Sequence, residues 1–287
     1  MIENGCEKET PFDYAKRSSI GCGGVAPVAF YPKSVEELIS LVEELENKKL
    51  AFTVLGNLTN VLPPDGNSQT AVISTKRLAK VEETEGGVFA LAGVTSGGLL
   101  KACKQLQLSG AEFLEGIPCT LGGALYMNAG VSGTYIAEIV ESVTVLHKGK
   151  LVVLDKSDCG YAYKTSAFMY SGGVIVGARL KLQKTNEEAI LEKIDYYRAK
   201  RAHLPKGKSM GCVFKNPKGA VAGKLIEGAG LKGLRAGGAV VSTEHANFII
   251  NDRNATSAQI KTLIAFIKNA VFAQYKIRLE EEIRYLP

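Results

Sequence analysis

The sequence predicts an α+β protein of two or three subdomains, and three observations carry that prediction. Its 287 residues lie near the upper limit of what one hydrophobic core can fill. Its strand and helix signals come in groups rather than in strict alternation, which argues against a barrel or a doubly wound sheet. Its 31 glycines, about 11% of the chain against an ordinary ~7%, gather in short loops without a G-x-y repeat, as backbone does where it closes around a ligand.

Ser34-Val35-Glu36-Glu37 is a capping box, and Leu38, Leu41, Val42 and Leu45 follow at helical spacing, so a helix is expected to about residue 48. An apolar strand follows at 51–55, then the loop Gly56-Asn57-Leu58-Thr59-Asn60, short strands near 71–74 and 88–91, and a helix near 97–106. Residues 116–133 carry glycines at 116, 122, 123, 130 and 133 and read as a binding loop. Beyond them, 139–146 and 151–154 flank the turn at 147–150 as a hairpin, and 173–182 reads as another long strand. The charged stretch 186–201 reads as a connecting helix, with a domain boundary near 185–205. The last third has its own pattern: a short helix around 222–227, strands near 239–242 and 248–250, and a closing strand over 277–286. Between them lies a final helix capped by Thr256-Ser257-Ala258-Gln259, with Ile260, Leu263, Ile264, Ile267 and Val271 as its buried stripe.

A hydrophobic share of 46% and a charged share of 22% argue against disorder and against a membrane protein. Lys and Arg exceed Asp and Glu by 35 − 29 = 6, spread without a polybasic block. That excess favours anionic partners in a general way and is weak evidence for nucleic acid: no nucleic-acid module pattern and no Trp accompany it, and phosphorylated small molecules account for the charge equally well. No run approaches the roughly 18 apolar residues of a membrane span, and 1–14 is acidic without an apolar leader, so a cytoplasmic location is expected. The six cysteines lie far apart with no CxxC pair and the three histidines are isolated, so free thiols and no metal are expected.

Two nucleotide motifs fail on context. Gly228-Ala229-Gly230-Leu231-Lys232-Gly233 fits G-x-G-x-x-G but follows a helix instead of a strand. Gly207-Lys208-Ser209 ends like a P-loop, but Ala202 stands where the earlier glycine belongs.

The segments Gly116-Ile117-Pro118-Cys119-Thr120-Leu121-Gly122-Gly123-Ala124, Met127-Asn128-Ala129-Gly130 and Gly211-Cys212-Val213-Phe214-Lys215-Asn216-Pro217 stand out. Ala229-Gly230-Leu231-Lys232-Gly233, His245-Ala246-Asn247-Phe248 and Leu279-Glu280-Glu281-Glu282-Ile283-Arg284 follow. In this order, and across about nine tenths of the chain, they resemble the UDP-N-acetylenolpyruvoylglucosamine reductase (MurB) family in its shorter form. The resemblance implies the FAD-binding fold of the vanillyl-alcohol oxidase (PCMH) type. The FAD-binding domain would cover 1–190, in subdomains of about 1–78 and 79–190, and a C-terminal α+β substrate-binding domain 191–287. It also implies FAD and NADPH as cofactors, a UDP-sugar substrate, and UDP-N-acetylmuramate dehydrogenase activity in peptidoglycan synthesis. In that reaction NADPH reduces FAD, the flavin passes hydride to the enolpyruvyl group, and a side chain protonates the adjacent carbon. A monomer is expected.

Residue by residue, the resemblance assigns Gly56, Asn57, Leu58, Thr59 and Asn60 to the FAD pyrophosphate, where backbone N–H groups with Asn and Thr side chains can line an anion. An ordinary strand-to-helix turn would use the same residues. Gly116, Ile117, Pro118, Thr120, Gly122, Gly123, Asn128, Ala129 and Gly130 fall to the isoalloxazine and phosphates. Cys212 matches the family's Ser or Cys proton donor, Glu282 its acidic residue near the C-terminus, and Lys164 its arginine. Hydride addition next to a carboxylate needs such a donor and such charge stabilisation, although lysine offers one compact charge where arginine offers a planar fork. Tyr163, Lys215 and Asn216 are assigned to the substrate, the last two to its diphosphate. Leu58 stands at a family glycine and Gly21 at a family arginine. Those departures keep two rivals open: a non-catalytic flavin- or UDP-sugar-binding relative, and a flavin oxidase of the same fold with another substrate.

Overall fold

The structure, a computed structural model, describes residues 5–287; the first four residues of the acidic N-terminal stretch lie outside the described residues. The chain forms two compact units. The first takes residues through Glu9, Ala29–Asn57 and Ala71–Ala202; the second takes Thr10–Val28, Leu58–Thr70 and His203–Pro287. The division therefore falls after Ala202 rather than at 190, because the helix before it belongs to the first unit: Lys193 Nζ donates to Ser109 Oγ at 2.8 Å and Arg198 pairs with Glu115 at 3.1 Å. The stretches 10–28 and 58–70, expected in the FAD-binding domain, join the second unit.

In the first unit, β1 (Glu7–Glu9), β2 (Ala29–Tyr31), β3 (Phe52–Leu55) and β4 (Ala71–Ser74) form a sheet in the order β1-β2-β4-β3. It is parallel except for the β1–β2 pair. Helix α1 (Val35–Asn47) starts where Ser34 accepts from the Glu37 N–H and buries Leu38, Leu41, Val42 and Leu45. A second, wholly antiparallel sheet runs β8-β7-β9-β6-β5 from β5 (Val81–Thr84), β6 (Gly87–Leu91), β7 (Val140–His147), β8 (Lys150–Asp155) and β9 (Val174–Lys181). Lys148 and Gly149, at φ +49° and +73°, make the two-residue turn that sets His147 opposite Lys150.

Helices α2 (Ser96–Gln105) and α3 (Leu121–Met127) share one core with this sheet, where Leu99, Leu121, Ala124 and Leu125 join Val88, Ala90, Val143 and Ala178. Helix α3 lies inside the stretch expected to be loop. Gly122 and Gly123 in its first turn hide it, but Thr120 caps it through the Gly123 N–H and Leu121, Ala124 and Leu125 line its buried face. Helix α4 (Glu187–Arg201) ends the unit.

The second unit holds α5 (Ala222–Gly228), the antiparallel sheet β10 (Arg235–Ala236), β11 (Ala239–Val241) and β12 (Ile249–Asn251), and α6 (Ser257–Tyr275). The capping box of Thr256 and Gln259 starts α6, and Asp65 adds a carboxylate, accepting from the N–H groups of Ser257 at 2.6 Å and Ala258 at 2.8 Å. Its stripe packs with Ile20, Leu62, Val213, Phe214, Ile226 and Ile283. The closing strand expected over 277–286 contracts to β13 (Arg284–Tyr285), parallel to Val61–Leu62, and one bridge between Phe214 and Glu281. Among the described residues no helix is long and apolar enough to cross a membrane, and the six cysteines are free thiols.

Candidate active site

In the first unit, two remote stretches assigned to the cofactor come together. The Asn57 amide donates to the Pro118 carbonyl at 3.2 Å, and Gly56 lies so close to Thr120 that a Cβ would sit 2.1 Å from its Oγ1. Ser96 fastens the segment from the other side: its N–H donates to the Cys119 carbonyl and its hydroxyl to that of Ile117. Burial pushes the Cys119 thiol up to about 12, so it stays protonated. Gly116, at φ +70°, makes room for the Arg201 side chain.

Not every glycine here serves a ligand. Gly122 packs on Ala92, and at Gly130 a Cβ would lie 2.1 Å from the Thr134 carbonyl oxygen, so internal packing explains both. Gly97 and Gly123 differ. A Cβ on Gly97 would meet nothing within 4 Å, and one on Gly123 only Thr120 Oγ1 at 3.5 Å. Both lie in the first turns of capped helices, Thr95-Ser96-Gly97-Gly98 and Thr120-Leu121-Gly122-Gly123, joined by a bridge between the two threonines. Glycine inside a helix costs roughly 0.5–1 kcal/mol relative to alanine, and packing does not account for it at these two positions.

Asn128 and Ala129 end α3. Asn128 is left-handed at φ +46° and buried; its amide donates to the Ala162 carbonyl at 2.8 Å and accepts from the Ala137 N–H at 3.3 Å, which commits the side chain to the protein. What it holds is the turn that carries Tyr163 and Lys164: Ala162 and Thr165 exchange both backbone hydrogen bonds, and Lys164 sits at φ +54° on the tip. Ser166, bonded to the Tyr126 carbonyl at 2.6 Å, fixes the far side, and Tyr163 meets the Tyr135 ring edge-on at 6.2 Å.

The second unit gathers Cys212, Glu282 and Asn60. The half-buried Cys212 bridges Phe248, and the next residues are held on both sides. The Val213 N–H donates to the Asn247 carbonyl, while the Glu282 N–H donates to the Val213 carbonyl at 2.8 Å. Asn60 then binds the Glu282 carbonyl at 3.2 Å through its amide and accepts the Arg284 N–H on its own carbonyl. Leu58, beside it in sequence, is buried at φ +52°, a conformation in which neighbouring N–H groups can converge; Thr59 is half-buried between them. Lys215 pairs with Glu280, and Asn216 accepts the Ala222 N–H at the start of α5.

Sequence reasoning passed over Asn247, Ser96 and Ser19. The signal for Ser96 is the T-x-G-G pattern that 95–98 shares with 120–123. For Asn247 and Ser19 the signal is three-dimensional: Asn247 grips Phe214 from 33 residues away, and Ser19 bonds Leu58 and Ser209.

With this geometry in place, the comparisons converge. A family model described as the UDP-N-acetylenolpyruvoylglucosamine reductase C-terminal domain matches residues 202–286, and one described as an FAD binding domain matches 26–155. The reductase of Carboxydothermus hydrogenoformans is 38% identical over 95% of this chain and 91% of its own length. That of Lactiplantibacillus plantarum is 35% identical over 92% and 88%. The crystal structure of the Thermus caldophilus reductase superposes with a TM-score of 0.84 at 33% identity, covering 98% of this chain and 99% of that one. A cholesterol oxidase from Brevibacterium sterolicum, 12% identical with a TM-score of 0.50 over 64% of this chain and 39% of its own, shares the fold alone. The FAD-binding fold of the vanillyl-alcohol oxidase type accounts for all of these likenesses, and the relatives of similar length carry one name. The chain belongs to the UDP-N-acetylenolpyruvoylglucosamine reductase family.

Proposed function

We propose that the protein is an FAD-dependent reductase that uses NADPH to convert UDP-N-acetylglucosamine enolpyruvate to UDP-N-acetylmuramate. The observation that carries this reading is the pair of hydrogen bonds linking Asn60 to Glu282 and Glu282 to Val213, which ties the loop 58–60 to the acid and to the residue that follows the thiol Cys212.

The residues present fit FAD. In the first unit the backbone at Gly97 and Gly123 is uncovered by packing beside the Asn57 amide, and in the second the left-handed Leu58 stands beside Thr59 and Asn60; each is chemistry suited to a dinucleotide. FAD held by these residues would supply the hydride transfer from NADPH to the enolpyruvyl double bond. The other carbon of that bond needs a proton, and Cys212 supplies it from its thiol. Glu282 polarises the substrate carboxylate or helps to deliver the proton to the carbon, and Lys164, on the tip of its turn, compensates the negative charge that develops during hydride addition. Tyr163 and Asn216 contact the sugar nucleotide, while Lys215 exchanges its Glu280 partner for the diphosphate.

The test is a flavin spectrum of the purified protein followed by the addition of NADPH and substrate in turn. Bleaching by NADPH and re-oxidation by the UDP-sugar are expected. A flavin-loaded protein that never re-oxidises with this substrate contradicts the reading, and rapid re-oxidation by oxygen alone identifies an oxidase.

A further inference from the structure

Lys208 is an exposed cation whose side chain follows an unusual course. It lies across Gly21, where a Cβ would stand 2.6 Å from its Cδ, 3.1 Å from its Cε and 3.4 Å from its Nζ. Gly21 is at φ +65°, a conformation that disfavours a side chain, and the end of Lys208 occupies the space a Cβ would take. The backbone beneath is cross-linked on two sides. Asn251 receives the Lys208 carbonyl on its N–H at 2.9 Å, and its amide donates to the carbonyls of Ile20 at 2.9 Å and Gly21 at 3.1 Å. The Ser19 hydroxyl lies 2.6 Å from the Ser209 carbonyl oxygen and 3.3 Å from that of Leu58, to which the Ser19 N–H also donates. Thus 19–21, Lys208, Ser209 and the left-handed Leu58 are joined in one hydrogen-bonded assembly through Ser19 and Asn251. Lys208 makes no ion pair among the described residues, whereas Lys215, Lys232 and Lys268 of the same unit pair with glutamates.

We propose that Lys208 is a diphosphate-binding residue, its ammonium led over Gly21 to serve the loop of Leu58, Thr59 and Asn60. The inference rests on the reading of that loop under Proposed function. FAD and the UDP-sugar each carry a pyrophosphate diester, and a flexible lysine contacts such a group as a point charge.

The experiment compares the full chain with Lys208→Ala and Lys208→Arg, measuring the Kd for FAD after flavin removal, and KM and kcat for the UDP-sugar. A rise of roughly tenfold in the FAD Kd, with KM unchanged, assigns the FAD diphosphate; a similar rise in KM, with kcat and FAD binding unchanged, assigns the substrate's. In both cases Lys208→Arg retains most of the affinity, and added salt weakens wild type more than Lys208→Ala. Lys208→Ala within twofold of wild type on both constants overturns the proposal, as does Lys208→Arg failing together with a lowered Tm. A wild-type chain that binds neither ligand refutes the functional reading itself, a distinct result.

Discussion

Asn247 grips the backbone of Phe214 with both ends of its side-chain amide: Oδ1 accepts the Phe214 N–H at 2.9 Å and Nδ2 donates to the Phe214 carbonyl at 2.8 Å. The side chain thereby replaces a strand partner and fixes the segment between Cys212 and Lys215. Asn247→Leu keeps the volume and removes both bonds, leaving two buried backbone groups unpaired. At about 1–3 kcal/mol for each buried group left unsatisfied, thermal denaturation should show a Tm lower by several degrees. An unchanged Tm contradicts the account.

Cys212→Ala should separate the two halves of the reaction. Flavin reduction by NADPH is expected to survive while product formation falls by roughly 10²–10⁴, the usual contribution of a positioned proton donor. Cys212→Ser, which keeps a proton, should lose far less. Stopped-flow bleaching alongside product analysis checks this, and loss of both halves removes the assigned role.

Asn128 distinguishes cofactor contact from positioning. Asn128→Gly preserves the left-handed backbone and deletes only the amide that holds the Lys164 turn through Ala162. FAD content should stay at the wild-type level while kcat/KM drops by roughly an order of magnitude. Released flavin would instead make Asn128 a cofactor ligand.

At Leu58 two effects oppose each other. Left-handed backbone costs a non-glycine residue roughly 1–2 kcal/mol, whereas burying and packing a leucine contributes about 2–4 kcal/mol. Burial wins, so Leu58→Gly should lower the unfolding free energy. Leu58→Ala should lower it further, because it loses the burial and keeps the strain. Urea denaturation ranks the three; a glycine variant more stable than wild type shows that packing contributes little here.

The pH dependence of stability should carry a signature of His245. Burial, then the neighbouring His203 stacked at 6.5 Å, hold its pKa below the ordinary histidine value, and its Nδ1 accepts the Asn247 N–H at 3.3 Å, which requires a neutral ring. The unfolded chain therefore binds the proton first, and stability is lost as pH falls through about 6.5 toward the folded value. His245→Gln should flatten the difference in Tm between pH 7.5 and pH 5.5; an identical difference in both proteins removes His245 from the titration.

Helices α1 and α6 were legible in the sequence because their signals are local: a capping residue, then an apolar stripe at 3.6-residue spacing. Helix α3 was not, because Gly122 and Gly123 read as loop until Thr120 and the buried face of Leu121, Ala124 and Leu125 are seen. The closing strand was overextended because Leu279 and Ile283 supply apolar residues without a continuous ladder partner. Of the residues assigned by resemblance, Cys212 and Glu282 lie in ordered motifs and Lys164 was matched singly to a family arginine, whereas Asn247 and Ser19 act on backbone groups far away in sequence, and no spacing rule encodes that.

The division of the chain also bears on synthesis. Ile20, Cys22 and Leu62 emerge early from the ribosome yet complete a core whose other members, from Met210 to Ile283, are translated last. They must wait unburied through most of translation, so nascent polypeptide should gain protease resistance in its closing phase. By the same reasoning, a chimera that swaps only the C-terminal third with a homologue would divide one hydrophobic interior between two ancestries.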